Sequence, residues 1–525
     1  MATCKTYKID SNVTGLSYAE EECPTLLPDT PTWYSLEPNS YNDFGGQITT
    51  LARNPINPTR QRKKGVTTDL EASGGFQQDF TFYNTERLMK GFMFTDGRIR
   101  ASNRNVSFHG RVVPTTTTAT EINFSGTFGT NNVKAGYMMA LEGMGDSRNN
   151  VCVPVKTYTQ SGNTCKVELY AASLQPSTAD VNQNARVYFC GYRFAPGEME
   201  LVATANGQQE LNRKTIATDL TTLPISAGDW IYLGDDTAAN HFGDKKRGFG
   251  RIAWITAGTI RFDKWTWETA GTAAAFAGVN CTLYWGDTLK NEADPNKVKR
   301  FTYTLERRLG RDADGEMSEL LRGAVPNEFT LNIAQADKIT ADMTFVAADF
   351  TQRDGKTGIM GGTRETLEVG SAFNTSSDFN RIKLSTVDEL GKPSDEPLFA
   401  FATELSVSIK NNVSPVKAVG VLGALDTSAG TFEVGGNMTV YFANVEATRA
   451  IRNNTGVTLD IIMLKDGKAV IIDIPLLTLG NGRINIEQDQ AITVPLEINA
   501  AESSFGHTLC MQWFHWLPKA AFAQK

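Results

Sequence analysis

Four histidines, His109, His241, His507 and His515, are the side chains of this 525-residue chain best suited to hold a transition metal or move a proton near neutrality. They share no ligand spacing with one another or with a cysteine, so the sequence predicts no zinc site, no other metal and no cofactor. Seven cysteines, Cys4, Cys23, Cys152, Cys165, Cys190, Cys281 and Cys510, are odd in number, widely spaced and without a Cys-x-x-Cys pair. That pattern reads as reduced, mostly buried thiols; a Cys152–Cys165 bridge across a hairpin would need an oxidising compartment. Asp235, Asp236 and Asp263 come nearest to a calcium or paired-carboxylate arrangement, but isolated acidic turn residues are the commoner use of that pattern. The glycine-bearing turns at 143–146 and 358–362 are followed by no catalytic lysine, and no Walker loop, dinucleotide fingerprint or Gly-x-Ser-x-Gly elbow occurs. No catalytic residue is expected. The charged cluster that remains is Arg60, Arg62, Lys63 and Lys64, followed by Asp69 and Glu71. It reads as a basic limb and an acidic limb of one loop, fit to meet an opposite charge or to stand solvated.

The stretch carrying that cluster occurs twice. Residues 53–60 read RNPINPTR and residues 410–417 read KNNVSPVK. Each follows a strand-like run, QITTLA at 47–52 and TELSVSI at 403–409. Each precedes a Gly-Gly strand, GGFQQDFTFY at 74–83 and GGNMTVYFAN at 435–444, and then a short helical run, TERLMKGF at 85–92 and EATRAIRN at 446–453. A further echo joins ITADMTFVAAD at 339–349 to ITVPLEINAAE at 492–502. Landmarks matched in the same order predict one β-rich unit used twice. The second loop, PVKAVGVLGALDTSAGTFEVGG, is more apolar than the first, and Lys417, Leu422, Leu425 and Asp426 are its counterpart contact residues. Both loops exceed a tight hairpin, and loops that long in compact domains are functional or disordered.

Length and charge bound the class. A chain of this size exceeds one core and divides into two to four domains. Lys+Arg total 51 against 58 Asp+Glu, a net charge of −7, so the overall field does not draw in nucleic acid. It suits a wall past which DNA slides without sticking, because adhesion would need cations to displace phosphate counterions. No run approaches the roughly 20 apolar residues of a membrane helix, and the first residues, MATCKTYKID, lack a signal-peptide core. The expectation is a protein kept in the cytoplasm where it is made until released by other means.

Along the chain, residues 1–45 read as an irregular N-terminal arm, with Glu20-Glu21-Glu22 and prolines at 24, 28, 31 and 38; Trp33, Tyr34 and Leu36 would dock it on a neighbouring subunit. Residues 46–98 plus 298–350 form a discontinuous first unit, with Leu88, Met89, Phe92 and Met93 on one helix face. Residues 99–297 read as one or two inserted β-domains, with a core strand VYFCGYRF at 187–194 and a small closed barrel over 225–265. Its aromatics Trp230, Tyr232, Phe242, Phe249, Trp254, Phe262, Trp265 and Trp267 read first as core and alternatively as a sugar- or protein-binding face. Residues 351–397 form a polar connector with one strand, FNRIKLS, and 398–525 hold the second unit and C-terminal tail.

The strings ITTLARNPINPTRQRKKG with EASGGF, GAVPNEFTLNIAQADKITADMTF, and SIKNNVSPVKAVGVLG with GTFEVGGNMTVYF together resemble the tail-tube (major tail) proteins of phages with long, non-contractile, siphophage-type tails. The resemblance covers most of 45–98 and 298–517, and more weakly 228–264. It implies a mainly β chain with two tail-tube-type β-sandwich or half-barrel domains, each with a short flanking helix, plus the inserted β region. It further implies a structural virion protein, a non-enzyme assembled in the host cytoplasm. Its copies would form stacked rings, trimers imitating sixfold symmetry with a hexamer as fallback, around a lumen through which genomic DNA leaves without specific binding. Tape-measure and tail-terminator proteins would be its other partners, with no membrane involved.

From this frame the loop over 56–75 is expected to make ring-to-ring contacts, lumen-facing strand positions to be net acidic or neutral, and the insertion to project outward, leaving no room for a contractile sheath. A glycan-binding adhesin and a β-sandwich hydrolase are the competing readings.

Overall fold

A computed structural model of the chain describes residues 11–56, 58–95, 111–125, 133–181, 185–215, 218–270, 281–311 and 315–523, the last apart from 366, 368–369, 389–392, 395, 400, 443–444 and 487. The fold is mainly β. From the amino end, β1 (Gly15–Glu20), β2 (Thr32–Leu36), β3 (Pro38–Arg53) and β4 (Lys63–Asp79) lead into α1 (Glu86–Met93). Twelve strands follow: β5 (Arg111–Thr117), β6 (Glu121–Ser125), β7 (Tyr137–Glu142), β8 (Cys152–Ser161), β9 (Thr164–Leu169), β10 (Ala185–Phe194), β11 (Met199–Ala203), β12 (Gln209–Arg213), β13 (Trp230–Leu233), β14 (Gly248–Ile255), β15 (Thr259–Trp265) and β16 (Cys281–Trp285). The chain returns through β17 (Asp287–Lys290), β18 (Tyr303–Arg311), β19 (Glu316–Ala334), β20 (Thr340–Ala347), β21 (Asp349–Arg353), β22 (Thr363–Arg364) and β23 (Phe379–Thr386). It ends with β24 (Ala402–Lys410), β25 (Ser414–Val416), β26 (Asp426–Ser428), β27 (Glu433–Tyr441), α2 (Glu446–Arg452), β28 (Val457–Lys465), β29 (Lys468–Asn481), β30 (Thr493–Ala500) and β31 (Cys510–Phe514).

Pairing makes the repetition explicit. Eight antiparallel strands run β3-β4-β20-β19-β24-β27-β30-β29. The first four and the last four have the same order relative to their helix, so β3, β4, β20 and β19 correspond to β24, β27, β30 and β29. The two halves are joined by seven register pairs, from Glu328↔Lys410 to Ala334↔Glu404. Behind this sheet lies a second layer in each half. In the first, β1, β18, the amino half of β19 and β21 pair; in the second, β23, β28, the amino half of β29 and β31 do.

One long strand in each half therefore belongs to both layers. In β19 the run from Ser318 to Leu321 is buried throughout, while Phe329, Leu331 and Ile333 alternate with Glu328, Thr330 and Asn332. Burial on both sides suits the middle of the molecule, and alternation suits a sheet with one wet face. The changeover falls at Pro326, where the register shifts; proline lacks the ladder donor that a bulge leaves unused. In β29 the changeover falls near Pro475, opposite the shift between Val457 and Leu459. The repeated Gly-Gly pairs sit where neighbouring backbones close in. A Cβ on Gly75 would lie 2.8 Å from the Met343 carbonyl oxygen, and one on Gly436 would lie 1.9 Å from that of Ser406.

One apolar core spans both halves. Phe76 stacks on Phe345, and Phe92 of α1 meets Phe329 and Phe345 at 5.7 and 5.6 Å, so the helix face read from Leu88, Met89, Phe92 and Met93 is buried as expected. Leu405, Val407, Ile409, Met438, Leu496 and Ile498 continue that core behind the second half.

The twelve inserted strands form a separate sheet. β10, as expected, is a core strand. It closes a six-stranded ring with β5, β6, β9, β8 and β7, and from β10 an open run continues through β16, β13, β14, β15, β12 and β11. The closed barrel is thus built from residues 111–194, and 225–265 supply three strands of the open run, β13, β14 and β15. Gly and Asp turns space strands without saying which edges meet. β17, within the stretch read as insertion, pairs with β31 of the second half.

Two further expectations are corrected. The amino-terminal stretch is not irregular: β1, before its prolines, pairs with β2, between Pro31 and Pro38, and Trp33 is fully buried, so the aromatic run docks on its own chain. The excursion after β3 is not a loop through residue 75. β3 and β4 pair from Pro38↔Gln78 out to Arg53↔Lys63, leaving a short tip, and β4 ends at Asp79. Thr, Val and Leu alternation in KKGVTTDLEA sustains that pairing beyond the body of the sheet. The second copy, over 411–432, remains a loop with the small hairpin β25–β26.

Candidate functional site

The eight-stranded sheet has one face on the core and one in solvent. Cross-strand register places the solvent-side residues in rows: Asp79, Thr340, Asn332, Ser406, Asn437 and Glu497; Gln77, Asp342, Thr330, Ser408, Gly435 and Asn499; Gly75, Thr344, Glu328, Lys410 and Glu433. Glu404, beside Thr439, adds another carboxylate. On these positions the carboxylates of Asp79, Asp342, Glu328, Glu404, Glu433 and Glu497 face a single ammonium, Lys410, which sits between Glu328 and Glu433. The rest are hydroxyls, amides and glycines. Asp342 accepts from Gln77 Nε2 at 3.1 Å and Asn332 Nδ2 at 2.6 Å, and Glu404 accepts from the Thr439 hydroxyl at 2.6 Å. At the rim, Lys338 pairs with Asp79 at 2.8 Å. The surface is acidic and solvent-facing, with side-chain bonds linking neighbouring strands.

Both margins of this sheet are bare among the described residues. β3 pairs with β4 on one edge, and residues 478–481 of β29 pair with β30 alone. Open edges of this kind are templates for another strand. β3, β20, β24 and β30 run in one direction, so the arm after β3 and the loop after β24 leave from the same end of the sheet.

That end gathers the charged residues singled out in the sequence. Arg60, with φ +57°, Arg62, Lys63 and Lys64 are exposed at the tip of the β3–β4 arm. Asp69 and Glu71 lie apart from them, further down β4, where Lys417 of the second loop pairs with both, at 3.2 Å for Glu71. The hydrogen bond from Lys417 holds the Asp69 carboxyl below its usual range. Asp426 is taken by Arg300 at 2.9 Å. The structure therefore brings Asp69, Glu71 and Lys417 together within one chain and leaves the basic tip separate. Leu422 and Leu425 stay exposed with Val416, Val419 and Val421, and Ile48, Leu51, Ile56 and Val66 are exposed on the arm. The opposite end of the sheet exposes Phe401, Tyr441, Ile484, Ile486 and Ile492. Apolar groups in such number at both ends mark contact surfaces.

The insertion is fixed on the far side from the acidic face. Along β28, Leu459, Ile461 and Met463 point into the sheet core, while Ile462 and Leu464 pack with Trp230, Tyr232 and Phe249 of the insertion. At this joint Arg251 is 2.7 Å from Asp263 and 3.1 Å from Asp473, Lys264 bonds Asp460, and Arg381 lies 2.6 Å from Asp460. Burial pulls the Lys264 ammonium down to about 8 against Asp460, and burial pushes the Asp473 carboxyl up. Sequence reading missed this network because its members are separated by up to 222 positions. It also accounts for Asp263; Asp235 is taken by Arg193 at 2.6 Å, and Asp236 accepts the amides of Lys519 and Ala520. No carboxylate pair forms there. Of the insertion aromatics, Trp230, Tyr232, Phe242, Phe249, Phe262 and Trp267 are buried, and Trp254 and Trp265 half-buried, which supports the core reading. Cys152 Sγ lies 3.7 Å from Cys190, not beside Cys165, and the described cysteines are free thiols; Cys4 and His109 fall outside the described residues.

A duplicated half-sheet with a greasy back, a wet acidic front and open margins is the geometry of a structural scaffold protein. The family model for phage tail tube proteins matches residues 11–500, and the chain belongs to that family. Its role is accordingly structural, as a component of the virion tail. No curated protein matches it. Among the described residues no helix is long and apolar enough to cross a membrane.

Proposed function

We propose that three copies join margin to margin into a ring, acidic face inward, and that the rings stack into a tube through which DNA leaves the virion. The observation that carries this reading is the seam already present inside each chain. β19 and β24 pair where the first half-sheet meets the second. Strand equivalence puts residues 480–486, after the bend of β29, in the place of 328–334, and residues 40–46 of β3 in the place of 404–410. The same seam then repeats between copies and removes both open edges at once. Eight strands from each of three copies give a barrel of about 24, wide enough to hold an aqueous channel rather than a packed interior.

The acidic, hydroxyl-rich front would line that channel. It offers phosphates almost no cation to displace their counterions, so DNA passes without sticking. The arm and loop that leave one end of each sheet would reach the apolar rim at the opposite end of the next ring, burying Leu422 and Leu425 against residues such as Phe401 and Ile486. Tape-measure and terminator proteins would meet the lumen and the last ring. The insertion, sitting behind the outer layer, would face outward and occupy the space a contractile sheath needs, which favours a flexible, sheathless tail.

The test is a disulfide scan across the seam. Asn42→Cys combined with Ile484→Cys, oxidised after assembly, should link chains into closed trimers on a denaturing gel and preserve the tubes seen by negative stain. Hexamers of linked chains would point to an undivided sixfold ring, and linkage within single chains would refute the seam.

A further inference from the structure

Behind the first half-sheet, three side chains from distant parts of the chain converge. Glu86 stands in the first turn of α1, Asp287 opens β17, and His515 follows β31. His515 Nε2 is 2.8 Å from Asp287 Oδ2 and 3.3 Å from Glu86 Oε1, and one donor atom from each residue lies within 4.8 Å of the others. The imidazole is held in place by stacking on Tyr188, ring centroids 4.2 Å apart and 7° from parallel, and by the edge of Phe82 at 5.2 Å.

Glu86 makes this group unusual. Its side chain is 0% exposed, and the counter-charge recorded beside it is the His515 imidazole, 3.3 Å from Oε1 and shared with Asp287. Nε2 carries at most one proton, and that proton serves Asp287. A carboxylate withdrawn from water without a hydrogen-bond donor is costly unless a cation neutralises it. An imidazole nitrogen and two carboxylate oxygens from three separate elements form a divalent-metal donor set. Bonds of about 2.0–2.2 Å to all three would need the three donor atoms, now within 4.8 Å of one another, to draw around a common point. Imidazole favours zinc, copper, iron or nickel over magnesium and calcium.

We propose that Glu86, Asp287 and His515 bind one divalent transition-metal ion of the zinc type, which pins α1, the strand leaving the insertion and the C-terminal strand to one point. His515, deprotonated at Nε2, would give that lone pair to the ion, which would replace the imidazolium as the counter-charge shared by Glu86 and Asp287. A cavity of about 580 Å³, lined by Glu142, Tyr188, Lys468 and His515, opens beside the imidazole and offers a route for the ion and for a water completing its coordination. The ion would stiffen the joint that carries the insertion. This holds whether or not the chain forms the ring proposed above.

The experiment uses the full chain, stripped with EDTA and titrated with Zn²⁺, with Mg²⁺ as control, by calorimetry and thermal melting. The expected result is uptake of one equivalent of Zn²⁺ with a rise in melting temperature, and no response to Mg²⁺. Glu86→Gln, which keeps the shape and removes the charge, should lower Zn²⁺ affinity by at least the roughly 10–100-fold that loss of a supporting partner costs, and should abolish the zinc-dependent rise. Asp287→Asn, at the more exposed ligand, should do the same and serves should Glu86→Gln not fold. Sub-stoichiometric uptake by the folded wild type, or unchanged affinity in both variants, would leave the trio a buried ion-pair cluster and overturn the proposal.

Discussion

Arg251 shows how far single side chains reach in this molecule. Its guanidinium, fully buried between Asp263 of the insertion and Asp473 of the second half, is raised further above its usual value by those two carboxylates against the effect of burial. Removing it strands two buried carboxylates. Arg251→Ala should cost about 3–5 kcal/mol in denaturant unfolding, the usual penalty for breaking a buried pair from one side. His507 gives a pH signature. Burial, reinforced by Lys290, pulls it down to about 3, so the folded chain keeps it neutral where the unfolded chain takes a proton. Its folded value lies below its unfolded one, so its contribution is fully present above about pH 6.5 and is lost as pH falls toward 3, by at most about 1.4 kcal/mol per pH unit. Stability curves of the wild type and His507→Gln should coincide in shape above neutrality and diverge between pH 6.5 and 5, before most carboxylates titrate. Parallel curves would mean that the imidazole titrates alike in the folded and unfolded chain.

At the scale of elements, the β3–β4 arm and the β25–β26 loop began as similar stretches of chain and ended as different structures. The arm keeps its ladder because KKGVTTDLEA alternates, whereas the glycines and alanines of AVGVLGALDTSAG do not sustain one. The arm tip carries four cations with no acidic residue of the chain paired to them among the described ion pairs, while the acids at its base are already held by Lys417. Replacing Arg60, Arg62, Lys63 and Lys64 by Glu should therefore leave melting within about 0.5 kcal/mol of wild type, as surface changes do, and stop tube growth at single rings. Tubes of normal length in negative stain would remove the tip from ring stacking. Leu422→Asp with Leu425→Asp should weaken stacking by a separate, apolar route, with the monomer again folded.

Across the whole molecule the layers run acidic face, eight-stranded sheet, shared core, outer layer, insertion, and the proposed tube rests on that order. In the tube proposed above, the acidic face should lose its indifference to DNA when its exposed acids are reversed. Glu404→Lys with Glu497→Lys lies on the wet face and away from the core, so tubes should still form. DNA release from particles carrying them should slow, and the delay should shrink steeply with added salt because phosphate contacts release counterions. Release unaffected at low salt would place these residues outside the channel.

Much of this was legible from residue order alone. The duplicated landmarks and the helix face of Leu88 to Met93 follow from local periodicity and turn chemistry, which depend on neighbours within a few positions, and the family from the resemblance of whole strings of residues. The basic tip and the acid pair were visible as charges, but not that Lys417 would claim the acids, because that meeting spans 348 residues. Turn spacing and strand propensity marked the insertion as β without revealing which edges close into a barrel, since edge choice is decided by long-range pairing. Nor could spacing show the acidic rows, the Arg251 network or the meeting of Glu86, Asp287 and His515. Each is assembled by folding from strands and helix ends far apart in the chain, and what a side chain faces is fixed only when its sheet has found both its neighbours.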